Sequence, residues 1–446
     1  MNSEPMDILW FPNWAATCIY VTTQDSLILL GCHEARKEAS HRALYGSDTR
    51  KRIETNHNSE GAIAVWLMQA SATHPAAGRS TGRIRNWLHC TFTHFRGTIL
   101  DMDEDSISQL IDELLKTQKE ETYERIKQDM FNELAGIRSY QSEYEERLYQ
   151  RWKKALDLFE TMLLFGRTVG SEFNERIRPY AVKHNDIVFE VLATTHAHSC
   201  MTTSAILALL KSGHAGDALA RARTVHEMRV IVTFIQEQGD DLAERYLAYE
   251  VVESLKAARQ YDKHYKRLGF EPLITGTLDN LEKAAENYHT KFLSHLPKKV
   301  LDGDYGWAAI VLKKDRPTFA DIQAKVGLDH WRPSFKMATY PIHPSAKGIK
   351  FEMGRIGNNN ILLAGPSNSG LADPASIALI SFNAITTMLL THMRYFDEKE
   401  LVVHYLQSLI AAQVMGELLH EAQQAFQETH QQLVRDELDI QAQEEK

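Results

Sequence analysis

Cysteine is scarce. The 446-residue chain has four, Cys18, Cys32, Cys90 and Cys200, and no two are spaced as a CxxC pair. That spacing excludes a zinc ribbon and a disulfide framework, and it fits a reducing, cytosolic setting. An excess of positive charge is missing too. Lys and Arg number 50 against 59 Asp and Glu, a net charge of −9. Such a balance argues against a protein that coats nucleic acid through its whole surface, though not against a local basic patch. Only 23 Gly and 12 Pro are present, so little in the composition interrupts long helices. The first residues lack the basic flank and apolar run of a signal peptide. One charge-free stretch, Pro374 to Met393, is interrupted by Asn383, Thr386, Thr387, Thr391 and His392. It reads as a buried core helix rather than a membrane span, and no membrane partner is expected.

Catalytic motifs of fixed spacing are absent as well. His226-Glu227 begins an HExxH, but Val230 stands where the second His belongs, and Gln424 breaks the pattern begun by His420-Glu421. His196 and His198 are two apart on a helical stretch and face different ways. No metal site and no cofactor are expected. Gly365 to Gly370 has GxxxxG spacing without the following Lys and Ser/Thr of a P-loop. There is no GxSxG nucleophile elbow, and no GxGxxG precedes a helix.

What is present is helix. Residues 1–101 show neither helical nor strand periodicity. They read as a poorly ordered or unassigned extension, or as a translated upstream segment ahead of a start near Met102. From Asp103 the signal changes: Asp103, Asp105 and Ser106 cap a helix start. Tyr123, Ile126, Met130, Leu134 and Ile137 then recur at spacings of three and four, followed by Tyr144, Leu148, Trp152, Leu156, Phe159 and Leu163. With a break near Gly136 and Ser139, residues 102–170 are expected to form a helical hairpin with one apolar stripe per helix. Residues 171–436 read as a helical-bundle core, with helices over 187–210, 215–235, 240–268, 278–296, 374–396 and 398–436. The Pro- and Gly-rich stretch 297–375 is an irregular insertion, with turns around a short apolar run in 354–370 that suggest a strand pair. A frayed tail is expected over 437–446. The fold class is therefore all-α: a helical bundle with a long N-terminal hairpin and an irregular insertion.

Two clusters are candidates for function. Ser212 to Ile235 opens on turn residues and runs as a helix apolar nearly all round, yet Arg223, His226 and Glu227 share one side of it. A half-buried Arg paired with a carboxylate four residues on is a common structural device. The same three side chains also suit catalysis, with Arg223 as an anion clamp and His226 a proton carrier positioned by Glu227. In the insertion, YPIHPSAKG places His343 between two prolines. Each proline pushes its predecessor off α geometry, so His343 is expected on extended backbone. Tyr340, His343, Ser345 and Lys347 would bind an anion together with Arg223, or His343 is a plain loop residue.

AILALLKSGHAGDALARARTVHEMRVIVTFI (205–235) resembles the signature helix pair of domain-of-unknown-function family 5677: an apolar helix, a Gly-containing turn, Asp-Ala (Asp217-Ala218) and Arg-x-x-x-Glu (Arg223, Glu227). YPIHPSAKG resembles a later segment of that family, and the likeness spans roughly 180–395. The resemblance implies a helical bundle of mainly bacterial distribution. It also carries a comparison with HEPN-like ribonucleases, which pair two helical subunits and cut RNA with Arg and His and no metal. Arg221 and His226 fit their R-x4-6-H pattern. That pattern recurs at Arg36/His41, Arg52/His57, Arg83/His89, Arg178/His184 and Arg259/His264, and Arg221 and His226 lie about 140° apart on an ideal helix. Two functions stay open. One is a binding or regulatory module, accessory to bacterial stress or phage defence, whose partner is another protein or a second copy of itself. The other is a dimeric, metal-independent ribonuclease acting on RNA through Arg223 or Arg221 and His226.

Overall fold

The structure, a computed structural model, describes residues 103–351 and 365–444. The expectations for 1–101, and for a strand pair over most of 354–370, lie outside the described residues. Those described form helices and no strand. Two units divide the chain, Met1–Glu133 and Leu134–Lys446. In the first, the described residues belong to one helix.

That helix, α1, runs Glu104–Lys183, so the residues expected to form a hairpin over 102–170 belong to one continuous helix. Gly136 and Ser139 do not turn the chain. A lone Gly costs a helix about 1 kcal/mol, and the Glu, Lys, Gln and Arg around it are strong enough helix formers to carry the helix through. The second apolar run is core: Leu148, Trp152, Leu156, Phe159 and Leu163 are buried. The first run, in contrast, leaves Tyr123, Ile126, Met130 and Ile137 exposed.

The second unit is a bundle built on three apolar helices, α2 (Ile187–Lys211), α3 (Ala215–Gln238) and α10 (Ala372–Leu390). Each packs on the other two. α10, which holds most of the charge-free stretch, is mostly buried between them and α11 (Val402–Glu444), which suits a core helix. The backbone of α11 stays helical as far as Glu444, within the segment expected to fray. Its Phe426 meets Trp152 and Phe159 of α1, and its Tyr405 meets Phe173. Residues 240–268 form two helices, α4 (Asp240–Ala248) and α5 (Glu250–Leu268), interrupted at Tyr249. The Tyr249 hydroxyl donates to Gly303 O at 2.6 Å. A helix over Thr277–Phe292, α6, packs back on α5. The insertion is a chain of short turns with three small helices, α7 (Ala309–Leu312), α8 (Phe319–Lys325) and α9 (Arg332–Met337).

Gly213 and Gly170 stand at two of the close approaches. Gly213 ends α2 at φ 77°, and a Cβ there would also strike the Tyr144 hydroxyl and Ser367 O. In α1 a Cβ on Gly170 would strike the ring of His196, so α1 and α2 can touch only without one.

A buried network, not foreseen from sequence, ties the helix ends. Asp186 caps α2 by accepting from Phe189 N at 3.0 Å. Its other bonds come from His392 Nε2 at 2.8 Å, Tyr395 OH at 2.7 Å and Arg394 at 3.0 Å, and Arg394 also reaches Asp240. Burial alone would raise the Asp186 carboxyl, but the bonds from His392, the Phe189 N–H and Tyr395 outweigh it and hold it at about 2. A depressed carboxylate stabilises the fold above its unfolded value of about 4, and that contribution is lost as pH falls toward 2. Asp186→Ala is expected to cost about 3 kcal/mol at pH 7 in urea denaturation, because it strands the buried partners of the carboxylate. The gap between variant and wild type should shrink by about 2 kcal/mol between pH 4 and pH 2.

Candidate functional site

The polar side of α3 is met by the insertion. Thr318 starts α8 with a capping box: its backbone N donates to Asp321 Oδ2 at 2.9 Å, and its hydroxyl accepts from Asp321 N at 3.3 Å. That cap fixes α8 against α3 and points Gln323, wholly buried, at His226. Trp331 precedes α9, which begins Arg332-Pro333; proline suits a first turn because no N–H is required of it there. This short helix delivers Phe335 and, just beyond its end, Thr339.

The three residues expected to act together are divided between two sets of partners. Arg223 Nε donates to Glu227 Oε1 at 3.1 Å and its NH1 to Thr339 Oγ1 at 2.9 Å, while the guanidinium lies 4.0 Å over the Phe335 ring. The pair is half-buried: 20% of the Arg223 side chain and 34% of Glu227 remain exposed. Tyr305 feels the same carboxylate, and burial with Glu227 nearby pushes its phenol up to about 12. His226 is 2% exposed. Gln323 Nε2 donates to its Nε2 at 3.0 Å, and Trp331 and Phe335 pack on its ring. Burial, with Arg229 and His330 adding positive charge nearby, lowers its pKa to about 3. Among the described residues, His226 Nδ1, Gln323 Oε1 and Trp331 Nε1 are buried without a hydrogen-bond partner. The space beside them, lined by Arg223, His226, Trp331 and Phe335, admits about one water. It is too small for a substrate.

The second expected cluster forms its own turn. Thr339 O accepts from both Ile342 N and His343 N at 3.2 Å, so His343 stands at the end of a turn. Pro341 and Pro344 restrict φ, and the turn accommodates both. Ser345 Oγ accepts from Gly348 N at 3.0 Å, and Lys347 Nζ lies 5.0 Å over the Tyr340 ring. His343, Ser345 and Lys347 are exposed. The loop reaches Arg223 through Thr339, a residue the sequence reading passed over, and through Phe335. Gln323, Trp331 and Phe335 were equally unmarked; their only signal was the Thr318–Asp321 cap, which announces a helix there.

A further Cys–His approach exists. Cys200 Sγ lies 3.7 Å from His196 Nε2. Burial pushes the thiol up to about 11 and the imidazole down to about 4, the reverse of what a thiolate–imidazolium nucleophile needs. His198, two residues on, is exposed while His196 is buried. Among the described residues no three His, Cys, Asp or Glu side chains are grouped to hold a metal.

Residues 189–360 match the model of a family described as a family of unknown function (DUF5677). No curated protein and no solved structure matches the chain.

Arg223→Ala removes an ion pair, a hydrogen bond and the stacking on Phe335, and is expected to cost about 2–3 kcal/mol in urea denaturation. Glu227→Gln, at the wetter end of the pair, should cost less than about 1 kcal/mol. His226 has a pH signature. Between pH 6.5 and about 3 the unfolded chain takes up a proton that the folded chain refuses. His226 therefore lowers stability by up to about 1.4 kcal/mol per pH unit as pH falls through that window. A His226→Met variant, compared with wild type at pH 7 and pH 5, should lack that part of the slope.

Proposed function

We propose that the protein, whose residues 189–360 match the model of a family of unknown function (DUF5677), is a binding module and not a hydrolase. The observation that carries this reading is the state of His226. It is sealed from solvent, bonded to Gln323, and neutral well below physiological pH. A general acid or base needs a pKa near the working pH and must reach its substrate. Arg223, the intended anion clamp, already holds Glu227, Thr339 and Phe335. These groups clasp the insertion onto α3 and leave little to offer a phosphate. Meanwhile α11 exposes Val403, Leu406, Ile410 and Val414, and a contiguous apolar surface of that kind marks an interaction site.

The test is incubation of the purified full-length protein with total RNA in EDTA. RNA is expected to remain intact, and His226→Met to lower the melting temperature only. Cleavage by the wild type that His226→Met abolishes would overturn the reading.

A further inference from the structure

One helix of the second unit has two apolar faces. Tyr405, Ala411 and Met415 of α11 belong to the core. On the other side Val403 is 60% exposed, Leu406 51%, Ile410 61% and Val414 39%. From Val402 to Gly416 there is no Asp, Glu, Lys or Arg on any side. Charge returns just beyond: Lys399 in the turn that leads into the helix, and Glu417 and Glu421 one to two turns past Val414, all exposed. Among the described residues none of these three has an ion-pair partner.

The order of these residues is symmetric. Lys399, Val403, Leu406, Ile410, Val414, Glu417 and Glu421 are separated by four, three, four, four, three and four positions. At about 100° per residue, the six on α11 lie within about 40° of Ile410 on the helix wheel, along about 27 Å of axis, and Lys399 stands in the 3-10 turn just before the helix. A two-fold axis through Ile410 therefore lays the stripe on a copy of itself. In an antiparallel pair Ile410 meets Ile410, Leu406 meets Val414, Gln407 meets Gln413, Val403 meets the aliphatic stem of Glu417, and Lys399 of each copy comes to the end where Glu421 of the other stands. A parallel pair would instead set Glu417 and Glu421 against themselves. Palindromic spacing, with opposite charges at the two ends, matches an isologous contact, in which one patch must complement itself.

We propose that the protein self-associates through this stripe, α11 packing antiparallel on α11 of a second copy about Ile410. The inference rests on the binding-module reading and names the partner of its exposed surface. A single helix pair is at the small end of specific interfaces, so a dissociation constant in the micromolar range is expected. A lipid surface is the rival occupant, since α11 has the length and hydropathy to interest a membrane.

Sedimentation equilibrium of the full chain decides it. The expected result is a concentration-dependent shift from 50.9 kDa to twice that mass. Ile410→Glu sets two carboxylates together on the axis and should weaken association about 100-fold or more. Because Ile410 is exposed, the melting temperature should not move. Lys399→Glu should weaken association about tenfold, and adding Glu421→Lys should restore it. A wild type that stays monomeric, a dimer indifferent to Ile410→Glu, or a charge swap that fails to rescue would each overturn the proposal. So would flotation with phosphatidylcholine–phosphatidylglycerol vesicles that Ile410→Glu abolishes. None of these readouts depends on RNA cleavage, so loss of this proposal and loss of the binding-module reading can be told apart.

Discussion

The burial of α3 is the constraint on which the rest turns. With α2 on one side and α10 on another, this helix has one side left, and that side carries Arg223, His226 and Glu227. Polar groups placed there need partners supplied by some other part of the chain, because an unpaired buried donor or charge costs more than the pair contributes. The insertion supplies them for Arg223 and for one nitrogen of His226, and leaves His226 Nδ1, Gln323 Oε1 and Trp331 Nε1 without a bond. Gln323 comes from a helix fixed by its own capping box, Thr339 and Phe335 from a helix started on a proline, and Trp331 closes the gap. The irregular region is thus held by polar bonds to a regular one.

This arrangement explains why residues that look catalytic in one dimension are structural in three. An Arg, a His and a Glu on one helix side suggest a proton relay, but a relay needs water, access and a titrating group. Here the packing that orders His226 also desolvates it, and desolvation moves the imidazole away from the pH range where it could work. The same logic neutralises the Cys200–His196 approach, where burial drives both groups toward their uncharged forms. Asp186 shows the opposite outcome. It is as deeply buried, yet enough donors converge on it to keep its charge. The hydrogen bonds aimed at the charged form of Asp186 make the difference.

Much of the fold was legible because helices announce themselves locally. The end of α2 at Lys211-Ser212-Gly213, the start of α3 after the turn, and the buried character of α10 could each be read from periodicity and stop residues. Gly136 was read as a break because propensity alone cannot tell a tolerated glycine from a turn, and the flanking helix formers decided it. The rule for residues before proline spoke only of His343's own backbone and could not show that Thr339 O gathers two donors and closes a turn ahead of it. The partners of the polar cluster were invisible for a different reason. Gln323 and Thr339 are about a hundred residues from α3, and nothing in their neighbours' spacing records which helix they will face.

The two ends of the molecule's chemistry separate cleanly along this line. Interactions inside the bundle use polar groups sparingly and satisfy most of them, which fixes the packing but leaves little to act on a ligand. The outer side of α11 has the reverse character: apolar, free of charge over fifteen consecutive residues, and bounded by Lys399 and Glu421. A monomer gains nothing from such a face, since each exposed Val, Leu or Ile carries a hydration cost that burial would remove. The charges at its ends gain nothing either while they point into water. Under the proposed pairing the hydration cost of the apolar face is relieved when it meets a copy of itself across a two-fold axis, and the same rotation brings Lys399 of each copy toward Glu421 of the other.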